Sequence, residues 1–357
     1  MKNLFNITKA TLFTVIVLTV AACHGVDKSE PGKNKISYGP GATFPDYEKI
    51  PLNTYTTDEA KLDEGAAQKI LTQSLEYAGA AGSFNLKEPV REGGMLWYKN
   101  PADPSALLNI NLDNGDIALS TGMRAYAGNE STKDLLKKDA AAQMALTHLR
   151  KLSLTGNTKD EYVMAHVGGL NVGVHDNNGK NTVFEKFTTV RFDRKFGDIP
   201  VEGHSRIIIQ MAEGGKLTGL TRHWASFKGS RVQPEAMVVP DELKKSFEKH
   251  ILSENTDAIS ITVKKISLVY FDQGHGLIEP ALRAECETVY KTSATDTTTR
   301  VFPYDIIEPI LKNPRQTYSF MHDKARAPKN TTDDGKNEQP IPRGKDEGRR
   351  DTTRYNQ

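Results

Sequence analysis

The sequence predicts an α+β fold in which helices pack on curled antiparallel sheets, built as two or three tandem modules with a disordered C-terminal tail. Three observations carry this. A helical apolar stripe followed by short strand-like runs occurs three times along the chain. Asn-Gly and Gly-Gly signals separate those runs, as turns between antiparallel neighbours do. Apolar residues make up 37 % of 357 positions, enough for an ordinary core and too few for a multispan membrane protein.

The first module spans 56–127. Asp58 is placed to cap a helix from Glu59 to about Tyr77, with Ile70, Leu71 and Leu75 on its apolar face. Strands follow at 94–98, 107–112 and 117–120, and Asp113-Asn114-Gly115-Asp116 forms the turn of a hairpin. The second module, 131–229, opens with Ser131 or Thr132 capping a helix that runs to Leu152, striped by Leu135, Leu136, Ala140, Met144 and Leu152. Its strands are 161–174, 181–196, 204–212 and 216–227. The third, 238–312, starts a helix at Pro240 with Asp241 and Glu242 at the positive end of the helix dipole. Strands at 259–272, 276–290 and 298–307 complete it. Residues 23–55, rich in Lys, Gly, Pro and Ser, read as a flexible tether. From 313 to 357 aliphatic residues become sparse, so ordering costs of about 1–2 kcal/mol per residue go unmet and the tail is expected to be disordered.

The composition excludes several functions. A formal charge of +2 supplies no field for nucleic acid. Two cysteines allow neither a disulfide scaffold nor a four-cysteine zinc site. Cys286 has acidic neighbours and none that is basic, so it reads as a structural thiol on a strand. None of the nine histidines has His-Glu-x-x-His spacing. At 174–185, Val174 stands where a calcium loop needs its first acidic ligand. Gly203-His204-Ser205-Arg206-Ile207 lacks the closing glycine of a nucleophile elbow. His204, Arg222 and His223 fall within one predicted sheet and form the candidate side-chain cluster. No metal and no cofactor are expected.

The amino terminus is more specific. Lys2 and Lys9 precede an uncharged apolar run from Ala10 to Val20, which spans about half of a ~30 Å hydrocarbon core. It reads as the core of a secretory signal peptide over 1–22. Val20-Ala21-Ala22-Cys23 resembles a bacterial lipobox, which implies diacylglycerol on the Cys23 thiol and cleavage before it. Two or three acyl chains on one residue hold a domain at a bilayer where a single chain does not. In a Gram-negative cell, His24 in place of Asp points to the outer membrane, facing the periplasm or the exterior.

Residues 190–204, Val-Arg-Phe-Asp-Arg-Lys-Phe-Gly-Asp-Ile-Pro-Val-Glu-Gly-His, resemble the strand and turn of the PepSY and fungalysin/thermolysin-type propeptide families. Gly197, Pro200, Val201 and Gly203 carry the likeness, which extends over about 132–290. Pro200 cannot donate to a ladder, so the motif also reads simply as a bend. The resemblance implies a stand-alone binding or inhibitory module, since no protease domain follows. The expected function is thus a lipid-anchored envelope protein that binds a protein or peptide without catalysis, inhibitory or chaperone-like, through exposed sheet edges. An envelope hydrolase with a site on the 161–227 sheet, or a structural and assembly lipoprotein, are the alternatives. Replacing Cys23 with Ser is expected to move the protein from the membrane fraction to the soluble fraction, as fractionation and immunoblotting would show.

Overall fold

The computed structural model describes residues 35–319 except 58–61, 123–125, 127, 156–160, 176–180 and 292–297. The signal peptide, Cys23, the predicted Asp58 cap, the turn at 177–179 and the tail from 320 lie outside these residues. The chain forms β1 (Ile36–Tyr38), β2 (Asn53–Thr57) and α1 (Glu64–Tyr77), then β3 (Val90–Glu92), β4 (Met95–Tyr98), β5 (Leu107–Asn111) and β6 (Ile117–Ser120). After α2 (Lys138–Lys151) come β7 (Tyr162–His175), β8 (Asn181–Phe196), β9 (Ile199–Gly203), β10 (Arg206–Met211), β11 (Leu217–Arg222) and β12 (Phe227–Arg231). The last part is α3 (Pro240–Glu254), β13 (Ser260–Asp272), β14 (Leu277–Lys291) and β15 (Thr299–Pro309). The protein is thus mostly β, with three α-helices among the described residues.

All fifteen strands join one open sheet, ordered β12-β2-β14-β13-β9-β8-β10-β11-β6-β5-β4-β3, with β1 on β13, β15 on β14 and β7 on β8. The sheet is mixed rather than antiparallel, because β1 and β9 both run parallel to β13. Two cores fill it. One takes α1, α2 and strands β4 to β8, β10 and β11. The other takes α3, β13 to β15 and the segment before β2.

The module boundaries differ accordingly. The first two predicted modules share a core, because β6 pairs with β11 across Ile117–Arg222 to Gly219–Ser120. Residues 35–55 are not all tether: β1 and β2 are strands of the sheet, and Tyr47 and Leu52 are each 1 % exposed. At the other end Tyr318 is buried, and Arg315 and Gln316 donate backbone N–H bonds to Glu279, so the ordered body runs past 312.

Local chemistry explains the helices. Asp63, not Asp58, caps α1 by accepting from the Ala66 N–H at 2.9 Å. In α3, Leu243, Phe247 and Ile251 recur every fourth residue and are buried on one face. Helix α2 begins six residues later than predicted, with Lys137 at its N-cap. Thr132 Oγ1 instead donates to the Lys186 carbonyl, and Ser131 Oγ accepts from the Glu185 N–H, which ties their loop to β8. The buried stripe shifts to Ala141, Ala145, His148 and Leu149.

His148 locks this layer. Its Nε2 lies 3.0 Å from the Gly215 carbonyl, its ring meets Tyr77 of α1 edge-on at 5.1 Å, and its buried Nδ1 has no hydrogen-bond partner. Protonation would place a buried N–H without an acceptor. Burial therefore lowers the imidazole pKa below 6.5, although the Gly215 bond opposes this. Because the folded value is depressed, the contribution is complete above pH 6.5 and is lost as pH falls through that value. Urea-unfolding midpoints are expected to drop between about pH 7.5 and about pH 5.5, with a shallower drop in His148→Gln.

Candidate functional site

The two halves of the sheet are joined through β9. It pairs antiparallel with the end of β8 at Lys195–Pro200 and Phe196–Ile199, and parallel with β13 at Tyr270–Val201 to Asp272–Gly203. Four connections and the ends of β2 and β12 converge beside this joint. They enclose a cleft of about 210 Å³ lined by Asp116, His204, Ser205, His223, Asp272 and His275.

Strand register brings the cluster together. Arg222 on β11 faces Ile207 on β10 and Ile117 on β6. His223, one residue on, donates its backbone N–H to the Arg206 carbonyl at 2.9 Å, and Asp116 immediately precedes Ile117. The rings of His204 and His223 lie face to face, tilted by 35°, with centroids 3.8 Å apart. Both rings approach one oxygen: Asp116 Oδ2 is 3.0 Å from His204 Nε2 and 2.9 Å from His223 Nδ1. Asn114 Nδ2 donates to the same oxygen at 3.0 Å, and the Asn114 side-chain Oδ1 accepts the Asp116 N–H at 2.9 Å. Burial pushes the Asp116 carboxyl up, but the two imidazoles outweigh it and hold the group down at about 2. The bond to Asp116 raises His204 in turn, against the opposing effect of its burial.

Arg222 belongs to the cluster in sequence but not in chemistry. Its guanidinium donates to the carbonyls of Leu154, Gly115 and Trp224 at 2.6, 2.5 and 3.1 Å. It therefore positions the turn carrying Asp116 and the segment after His223. Burial pulls its pKa down to about 10, which leaves it charged at neutral pH.

Asp272 fixes the other wall. Its carbonyl accepts the His204 N–H at 2.8 Å, and its carboxylate accepts from Ser205 Oγ at 2.5 Å and from the Gly274 N–H at 2.8 Å. Ser205 is thus bonded to a carboxylate, not to a histidine base. Cys286 is buried on β14, where burial and nearby Asp305 and Glu285 push its thiol up to about 12. At neutral pH it stays a thiol.

Of the motif residues, Val201 is buried at the joint and Pro200 sits on short β9. Gly197 (φ +61°) makes the turn between β8 and β9. Gly203 has φ +109°, and a Cβ there would lie 2.0 Å from the Asp272 carbonyl oxygen, so no other residue fits. Asp116 was absent from the predicted cluster because its tetrapeptide reads as turn chemistry. Only the β6–β11 pairing, about 100 residues apart in sequence, reveals its place.

No family model matches the chain, and no curated protein matches it. The fold is similar to that of an uncharacterised protein from Eubacterium rectale, with a TM-score of 0.46 and 12 % identity over 79 % of this chain and 90 % of that one.

The motif glycines separate a turn from a joint. Gly197→Ala meets nothing within 4 Å and is expected to cost about 1 kcal/mol for its positive φ. Gly203→Ala adds a backbone clash and is expected to cost at least about 2 kcal/mol in urea unfolding.

Proposed function

We propose that this chain is a lipid-anchored protein of the bacterial cell envelope that captures a short peptide segment or chain end in the cleft beside β9, without catalysing its conversion. The lipobox-like Cys23 supports the anchor, and the propeptide-like 132–290 region supports a binding module. The cleft carries the reading. At about 210 Å³ it is smaller than the roughly 300 Å³ where small-molecule pockets begin, and it suits one or two residues of a partner. Its walls offer carboxylates and imidazoles that recognise charged or hydrogen-bonding groups.

The free sheet edges are weaker candidates than their exposure suggests. β7 carries register shifts at Met164/His166 and Leu170/Asn171, and β15 contains Pro303 and Pro309. Bulges and prolines are the devices that blunt an edge against strand addition. The second reading, an envelope hydrolase, draws on the meeting of His204, His223 and Asp116. Against it, Ser205 is tied to Asp272.

Photo-crosslinking in cells distinguishes these surfaces. A crosslinkable residue at Asn114 or His275 is expected to give a discrete adduct containing partner peptide, and Asp272→Asn is expected to reduce it. Adducts from Val172 on the β7 edge with none from the cleft would overturn the assignment.

A further inference from the structure

We infer that Asp116, His204 and His223 form a binding site for one divalent transition-metal ion, of which zinc is the best match. This goes beyond the capture of a peptide and does not depend on it.

The geometry favours an ion over a simple ion pair. The ligand atoms of the three side chains all lie within 4.8 Å of one another. A tetrahedral zinc ion bound at about 2.0–2.1 Å holds its ligand atoms roughly 3.3 Å apart. The two nitrogen-to-carboxylate distances, 3.0 and 2.9 Å, already approach that spacing. Among the described residues this is the one group of three such side chains that comes so close.

His223 Nδ1 is buried and makes no hydrogen bond: its 2.9 Å approach to Asp116 Oδ2 is not aligned as one. A cation between the three atoms would accept a lone pair from each of them.

The chemistry of the donors narrows the ion. Two imidazoles and one carboxylate suit zinc and its first-row neighbours, whereas calcium and magnesium call for oxygen alone. Three protein ligands leave one position of a tetrahedron for water or an anionic group, and the cleft is open beside it. The ligands are also braced. Asn114 orients the carboxylate, Asp272 anchors the His204 backbone, and Arg222 clasps the carbonyl of Gly115 beside Asp116. A Cβ at Gly274 would lie 2.9 Å from the His204 ring, so the β13–β14 turn presses directly on that ligand. Such supporting contacts set ligand orientation in metal sites.

The test uses the full-length chain, purified in detergent and stripped with EDTA. Calorimetric titration with zinc is expected to show one ion per chain. Affinity is expected to fall roughly 100-fold or more in His223→Ala and in Asp116→Asn, and to hold in His166→Ala on exposed β7. In the unmutated chain, cobalt(II) is expected to give visible d–d absorption and two paramagnetically shifted imidazole resonances, a readout that needs no variant to fold. No stoichiometric binding, binding that survives both substitutions, or a cobalt complex without shifted imidazoles would overturn the site. The crosslinking outcome at Asn114 or His275 is scored separately, so either idea can fail alone.

Discussion

The close approach of Gly203 to Asp272 is the constraint on which the rest of the structure depends. β9 is five residues long, yet it is the strand that links the two halves of the sheet. Its parallel register on β13 ends at the Asp272–Gly203 pair, where the His204 N–H reaches the Asp272 carbonyl. A side chain at 203 would push these backbones apart and unseat both β9 and the start of β10. Beneath the joint, Arg194 is buried among Phe196, Trp224 and Phe227 and donates to the Ala225 carbonyl. Burial pulls that guanidinium down to about 10, so it remains a cation among aromatic faces. The joint is therefore held by backbone proximity, one buried cation and ring stacking, including Tyr55 on Phe196 at 3.8 Å.

Much of the local structure was legible in the sequence, and the reason lies in the range of the forces involved. Periodicity and turn chemistry act over a few residues, so α3 and the β5–β6 hairpin were read almost to the residue. The failures share a cause. Thr132 looks like a helix cap, but its hydroxyl is taken by the Lys186 carbonyl, 54 positions away. Residues 35–55 look like a tether because their apolar residues follow no period. Even so, Tyr47 and Leu52 drop into the second core and the Tyr47 hydroxyl donates to the Val238 carbonyl. The shared core of the first two modules was invisible for the same reason: pairing of β6 with β11 leaves no mark on either segment.

The site shows the same limit more sharply. His204 and His223 were placed on one sheet by strand reading, and the structure brings their rings into contact. Arg222 immediately precedes His223, but strand alternation turns it to the opposite side, where it serves three carbonyls. Asp116 was hidden because the Asp113–Asp116 turn already had a sufficient local explanation. Its second use, as the shared neighbour of two imidazoles, exists only after β10, β11 and β6 align. A residue with one adequate local role gives no sign that it holds another.

The placement of polar groups argues that the cleft is kept for what it does. The seam between two apolar cores is a natural place to extend the core, and replacing buried ion pairs by well-packed apolar side chains is often neutral or stabilising. Here the seam instead gathers Asp116, two histidines, Asp272, the buried Arg194 and the half-buried Arg222, groups that need specific partners to offset their desolvation. The partners come from several separate connections, so the arrangement is exact only when both half-sheets are correctly joined at β9. Packing alone gives no reason for so much polar chemistry at the least apolar point of the joint. Sites that break the local rules of core construction while being braced from several elements are where function is expected, and in this chain that description fits the cleft beside Gly203.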